Sequence, residues 1–588
     1  MRTYILALTK YGITAVVIGF TILAFYLLTL NEQRHEERIR TLTLVQNGLI
    51  LLFQLLSFFT LYIAIGEAQY MLFGLFVMLI FFAIFYLYDT LYRHANMPLF
   101  NDMCMLLSVG LVIQARLSFD NALHQFVVAA AGLVIAFVLP LFRHQFYLLK
   151  KLKYAYGILG VGVLGIVMLL GSTTLGANIT YTIAGLTFQP SEFIKIVFLL
   201  FLASTLQNIK SFKEFFVIAL FAAAHVLILI GSTDLGSGLI YYIVFMFVAF
   251  LATGQWWILA GGSGLLAGGA VACYFLFDHI QQRVQAFLDP WSLIDSIGYQ
   301  IAQSLFAISA GGLWGTGLGQ GTPEDIPFVE SDFIFAAICE ELGQVLGVCV
   351  ILIGLNCFFV MLNLAMSFAD RFYRLLAYGT AIAYVFQMFL TIGGETKFIP
   401  LTGVTLPFIS YGGSSILTTL IMFTLIEMMC ILRGEKIEEM EAKHAQARLP
   451  GPAAKGTSAG REQSVPSDSS SRGKRSSPSA DSRRTERPAS LQRSFYAEEE
   501  DALYDSWSRR VSAAEHEGRP QYRSVARPTS RLPKAAGNEY DSRVRRSSAY
   551  EFEGRTGSSS YPVSRNSAYL GTGNLRSSND GDDEYWDD

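Results

Sequence analysis

The sequence predicts an all-α polytopic membrane protein of about thirteen transmembrane helices followed by a disordered tail. Three observations carry that reading. Apolar runs of about 20 residues, enough to span a bilayer as a helix, recur along the chain. Only 15% of the 588 residues are charged, against about a quarter in a soluble domain. Those charges are unevenly placed: residues 434–588 hold 25 of the 44 Lys and Arg and 25 of the 47 Asp and Glu.

The expected spans lie near 11–30, 45–65, 69–88, 99–116, 121–142, 153–171, 189–207, 213–231, 235–253, 256–277, 332–362, 373–394 and 405–432. The first run has no small-residue cleavage site behind it and reads as a span rather than a removable signal. Basic loops set the orientation. Arg143, Lys150, Lys151 and Lys153 put the link after the fifth span in the cytoplasm, and Lys210, Lys213, Arg371 and Arg374 agree. Loop 278–331 then falls outside and the C-terminal tail inside. The N-terminus also falls outside, which Arg2 and Lys10 oppose. After Gly434 a charged helical stub leads into a Ser/Arg-rich tail that cannot bury enough apolar area to offset ordering. Its Arg-Ser pairs fit kinase sites, weak contacts or simply a solvated segment.

Cys104, Cys273, Cys339, Cys349, Cys357 and Cys430 all lie in apolar runs with no CxxC and no Cys/His cluster, so they read as small core residues. A net charge of −3 gives no support to a nucleic-acid partner.

Polar residues at membrane depth are expensive and raise functional hypotheses. Four stretches carry them. In LTFQPSEFIKIVFLL (186–200), Pro190 suits a first helical turn, Ser191 and Glu192 can cap free amides, and Lys195 follows one turn later. Lys195 is either a snorkelling lysine or a cation facing a diphosphate. In GSTDLGSG (231–238), Asp234 sits in a tight link, as a turn aspartate or a site residue. Loop 278–331 mixes Arg283, Trp291, Tyr299, Gln303 and Trp314 with six glycines between Gly311 and Gly321. GTGLGQG there follows no strand, so it is not a nucleotide loop. In GGETKFIPLTGVTLPFISYGGSS (393–415), Pro400, Pro407 and a Glu395/Lys397 pair break an apolar region. Irregular backbone at that depth needs protein or a wet cavity to satisfy it. A fifth stretch, EDIPFVESDFIFAAICEELG (324–343), joins a polar loop to an apolar helix at Asp332 and then carries Glu340 and Glu341.

QPSEFIK, DLGSG, DPW…GYQIAQSLFAISAGGLWGTGLGQG, ESDFIFAAICEELG and FIPLTGVTLPFISYGGSS occur in this order. Together they resemble the SEDS family (shape, elongation, division and sporulation), the FtsW/RodA/SpoVE group of bacterial membrane proteins. The resemblance divides the chain into an extra membrane region at 1–97, a ten-span core at 98–433 and the tail at 434–588. It implies a multi-pass peptidoglycan glycosyltransferase of the cytoplasmic membrane, serving division, elongation or sporulation. Such an enzyme polymerises lipid II, with undecaprenyl diphosphate-linked glycan, into strands on the outer face. The implied partner is a class B penicillin-binding protein, a transpeptidase, with other divisome or elongasome proteins reached through the tail.

The family's essential acid matches Asp332. Gln189, Glu192, Lys195, Asp234, Arg283, Gln303, Lys397 and Ser410 are the expected substrate-binding residues, and Pro190, Pro407, Glu340 and Glu341 the expected supports. Two departures stand out. Where relatives carry an Arg-Trp pair, this chain has GANITYTIAG, with Thr180 and Tyr181 near those places. Where relatives often have glycine, it has Lys397, which could replace the lost charge.

The chemistry needs a base for the attacking sugar hydroxyl and positive charge for the departing diphosphate. Asp332 is the expected base, with the helix dipole keeping it ionised and less basic. A divalent cation, Mg2+ or Mn2+, held by Asp332 is the rival role. Lys195 is the first choice for the diphosphate, with Arg283 and Lys397 behind it. Glu340 lies about 12 Å deeper along a continuous helix, and Glu340 or Glu341 is expected to pair with a basic or polar group from another span, Lys195 among them. Two other readings stay open: a flippase for lipid-linked precursors, which would want charges through both leaflets, and a scaffold whose tail does the work.

Overall fold

The computed structural model describes residues 1–30, 35–170, 172–174, 177–183 and 186–448. The tail beyond residue 448, expected to be disordered, lies outside the described residues.

Helices account for nearly all the regular structure. An N-terminal group, α1 (Arg2–Thr29), α2 (Glu36–Ile65) and α3 (Ala68–Leu91), leads into α4 (Met97–Leu117) and α5 (Phe119–Val138). A 3-10 segment, Leu139–Lys151, then joins α6 (Lys153–Leu170). After it come α7 (Pro190–Leu206), α8 (Phe212–Gly231), α9 (Leu235–Thr253) and α10 (Trp256–Leu276). Loop 278–331 contains α11 (Asp278–Leu288) and α12 (Tyr299–Gly311). The chain returns through α13 (Ile334–Leu342), α14 (Gln344–Ser367), α15 (Arg371–Glu395) and α16 (Gly413–Arg448). Eleven of the described helices are long and apolar enough to cross a membrane. The apolar helices α6 and α7 occupy the other two expected spans, so all thirteen hold helix. α16 runs without a break through the composition change at Gly434, absorbing the charged stub.

Local chemistry explains the boundaries. The Asn96 side chain accepts the Leu99 N–H with Pro98 just inside α4, and Ser118 and Asp370 cap α5 and α15 in the same way. The link between α6 and α7 departs from the all-helix expectation. It forms three short strands, Ser172–Thr174 (β1), Ala177–Ile183 (β2) and Leu186–Phe188 (β3), paired antiparallel in that order. Thr, Ile and Tyr in this stretch favour extended backbone.

The span expected at 332–362 is also not one helix. It breaks at Gly343, whose φ of +93° ends α13 and begins α14. Gly343 and Gly315 cross backbone to backbone: a Cβ on Gly343 would lie 2.5 Å from Gly315 N, and one on Gly315 2.2 Å from Glu341 O. Only glycines fit there.

α4 is the pillar of the bundle and is almost wholly buried. On one side it packs against α2, with Asn101 Nδ2 donating to Gln46 Oε1 (3.2 Å) and Gln54 Nε2 donating to Ser108 Oγ (2.8 Å). On another it meets α14, where Asn356 Nδ2 donates to Asp102 Oδ2 at 2.6 Å. Such interhelical bonds are worth about 0.6 kcal/mol each on average in membranes. The N-terminal group is therefore fastened to the rest through polar rungs, not only through the chain.

Candidate active site

The site forms where two irregular segments, 323–333 and 396–412, fold against the end of α4. Thr391 Oγ1 donates to Val404 O (2.8 Å) and Gln387 Nε2 to Thr405 O (3.0 Å), so the second segment doubles back along α15. Gly110 of α4 lets it pass, since a Cβ there would lie 2.7 Å from Phe408 O. Ser410 Oγ then donates to Ser331 O (2.6 Å) and accepts the Leu406 N–H (2.9 Å). Tyr411 N–H and Gln114 Nε2 both donate to Glu330 O, at 2.7 and 2.8 Å. Backbone that has left the helical pattern is thus satisfied by protein, as membrane depth requires. Ser410, expected to touch substrate, and buried Pro407 shape the turn beside Asp332.

Asp332 sits one residue outside α13's cap, half-buried, with its N–H donating to Phe328 O (3.0 Å). Arg283 of α11 reaches the same place and donates through Nη1 to Thr402 O (3.0 Å) and Leu401 O (3.3 Å). Between them lies Gly403, with φ +71°: a Cβ on it would be 3.6 Å from Arg283 Nη2 and 3.7 Å from Asp332 Oδ2. An acid and a cation therefore lie on either side of exposed Gly403, which puts no side chain between them. Burial pushes the Asp332 carboxyl above the ordinary aspartate value, opposed by its hydrogen bond with Ser331 and by Arg283. Burial thus works against the lowering expected from the helix dipole.

The amides at the start of α13 go elsewhere. Glu395, fully buried at the end of α15, accepts the Ala336 N–H at 2.9 Å. Glu395 is thus turned to the helix amides of α13. At the other end of α13, Glu341 binds Arg116 Nε (2.8 Å) and the amides of Gly319 and Gly321, and Glu340 binds the Thr322 amide (2.9 Å). Arg116 also holds Glu324 (3.0 Å) and Gly321 O (3.0 Å). The expected basic partner from another span is Arg116 of α4 rather than Lys195. Arg116 and Gln114 share the last turn of α4, one holding Glu341 and the other Glu330, so both ends of this stretch lie at one end of the bundle. The support role itself stands.

Lys195 is 2% exposed and donates to Glu192 Oε2 and Gln387 Oε1, both at 2.8 Å. Thr418 Oγ1 also donates to Glu192 (3.2 Å). The charge is neutralised inside the bundle with no face for a diphosphate, so that expectation passes to Arg283. Nor do Ser191 and Glu192 cap α7: Ser191 Oγ donates to Asp234 Oδ2 (3.1 Å), while Gln189 is the cap residue and its N–H donates to Ser414 Oγ (3.0 Å). Pro190 does take the first turn. Asp234 caps α9 through Ser237 N–H (3.1 Å). Half-buried Gln303 lies on α12, where its neighbour Ser304 donates to Glu395 O (2.9 Å). Lys397 holds φ +56°, a left-handed conformation, which explains why glycine suits that place. Among the described residues no three His, Cys, Asp or Glu converge as a metal cage. Asp332 could meet Mg2+ or Mn2+ only with most ligands coming from substrate and water.

Arg116 was not among the expected residues. A lone arginine at the end of a span reads as a boundary marker; the clue was the surplus of acids at 324, 340 and 341, which needed a cation from another span.

A bundle of apolar helices with an acid and a cation beside an exposed glycine defines a polytopic membrane protein with a polar site at one end. Residues 89–433 match the FtsW/RodA/SpoVE family, described as cell cycle protein, and the chain belongs to that family. It is 37% identical over 320 residues to the peptidoglycan glycosyltransferase RodA of Mycobacterium bovis, spanning 51% of this chain and 67% of that protein. It is 35% identical over 262 residues to stage V sporulation protein E of Bacillus subtilis, spanning 43% and 70%. A chain solved in work on structural coordination of polymerization and crosslinking by a peptidoglycan synthase complex superposes with TM-score 0.51 at 26% identity, covering 57% of this chain and 97% of that one.

Proposed function

We propose that this chain is a peptidoglycan glycosyltransferase that polymerises lipid II. The observation that carries the reading is Asp332 and Arg283 on either side of exposed Gly403, an acid and a cation with no side chain from that residue between them. Relatives named as peptidoglycan glycosyltransferases support it.

In this reading Asp332 takes the proton of the acceptor sugar hydroxyl as its oxygen bonds to the anomeric carbon. The bond from that carbon to the undecaprenyl diphosphate breaks, and the diphosphate leaves with the electron pair. Arg283 offsets the negative charge that develops on it. A carboxyl pushed up by burial is the better base. Lys397 is a second cation in the same link, where it compensates for the arginine absent near Thr180. No step is routed through a metal.

The site end faces outward. The opposite end carries the basic 3-10 segment, where Arg143 pairs with Glu435 of α16 (2.6 Å) and Lys150 with Asp370, as a cytoplasmic face would. A class B penicillin-binding protein is the expected partner, in keeping with a structural neighbour drawn from a synthase complex.

The test is purified full-length protein with fluorescent lipid II, with and without a class B partner, comparing wild type with Asp332→Ala. Polymer from wild type alone supports the reading. Equal polymer from both removes Asp332 from the chemistry, and precursor translocation without polymer would favour a flippase.

A further inference from the structure

We propose that α1, which lies outside the family match, is a positioning element for the reaction, acting through Lys10 and Tyr11 on the glycine-rich loop that holds α13. The inference rests on Asp332 being the reactive acid.

Lys10 Nζ donates to Gly315 O at 3.0 Å. The next residue, Tyr11, meets Trp314 edge to face at 5.8 Å. The end of α2 presses on the same loop, since a Cβ on Gly319 would lie 2.9 Å from Ala64 Cβ. Three contacts from the N-terminal group thus fall on residues 314–319. A lysine that only snorkelled would bond water or headgroups. This one bonds a loop carbonyl about 300 residues away.

The loop has no slack to absorb a shift. Thr316 N–H donates to Glu340 O (2.8 Å) and Gly317 N–H to Glu341 O (2.9 Å). Gly315 lies against the Glu341 carbonyl so closely that no side chain fits. On the other flank, Gln344 N–H donates to Gly312 O at 2.9 Å. α13 is only nine residues long, a rod of about 13 Å, and Asp332 stands two residues before its start. Displacement at Gly315 therefore travels along one rigid helix to the acid. Lys10 is a positioning residue; it touches neither substrate nor Asp332.

The test uses the full chain with its class B partner and fluorescent lipid II. Lys10→Met keeps the stem and removes the donor. We expect faster amide exchange across 312–322 with α4 unchanged, and about tenfold lower kcat with KM within about twofold, because misplaced groups cost turnover more than affinity. Lys10→Arg should restore both. Tyr11→Leu, at an exposed position, should give a smaller version of the same pattern and serves if Lys10→Met folds poorly. Unchanged exchange in 312–322 overturns the clamp. Faster exchange with unchanged kcat overturns its positioning role. If wild type makes no polymer, the glycosyltransferase reading fails, and the exchange measurement still decides whether α1 holds the loop.

Discussion

Lys195 and Asp332 are both ionisable groups set among apolar helices, yet they are treated differently. Lys195 is enclosed by Glu192 and Gln387, with Thr418 completing the glutamate's partners. Asp332 is half-buried beside exposed Gly403, with Arg283 on that glycine's other side. A buried ion pair enclosed by protein presents no face to a ligand, whereas an acid raised by burial and left half-exposed does. Depth in the membrane marks a residue as costly. Only its partners say whether the cost serves architecture or chemistry.

The largest test of that contrast is Asp332→Ala. Polymerisation should fall by about a hundredfold or more, the scale of a lost general base, with thermal stability nearly unchanged. Lys195→Ala should do the reverse. It leaves Glu192 buried without its cation, at about 3–5 kcal/mol, seen as loss of folded protein on size exclusion. Lys195→Met with Glu192→Leu should recover most of that. A stable but inactive Lys195→Ala would break the comparison.

Arg283→Ala comes next, with about a hundredfold lower kcat and a smaller loss in Arg283→Lys. The pH profile follows in size. A base must be deprotonated, so kcat should fall as pH drops through the Asp332 pKa. Because burial raises that pKa, the limb should lie above the ordinary aspartate value of about 4. Arg283 holds the carboxyl down, so Arg283→Gln should move the limb higher still; no movement would separate the two groups. Smallest is Lys397→Gly, which relieves a left-handed lysine and should add about 1 kcal/mol in thermal or denaturant unfolding. Unchanged polymer yield in that variant would end the case for Lys397 as a replacement charge.

Length and hydropathy were enough to place helix in every expected span, though the one at 332–362 is two helices, because bilayer thickness imposes long apolar runs. The loop charges and quoted motifs also pointed to Asp332 and Arg283. What stayed hidden were matters of pairing. Nothing in the local pattern says that Gly343 faces Gly315, since the two are neighbours only in space. The same holds for Glu341, whose bond to Arg116 joins residues 225 apart in the chain. Lys195 was misjudged because a lysine's spacing shows where it enters the bundle and not whether a glutamate encloses it.

The closure of segment 396–412 over Asp332 also has a meaning in time. During synthesis the parts of the site emerge in order: Arg116, Arg283, Asp332, and last Gly403 and Ser410. Ser410, which fixes the turn at Ser331, lies just before the final helix. A nascent chain carrying the acid still lacks the segment that frames it. The corner that frames Asp332 is complete only once the segment before the last described helix is in place.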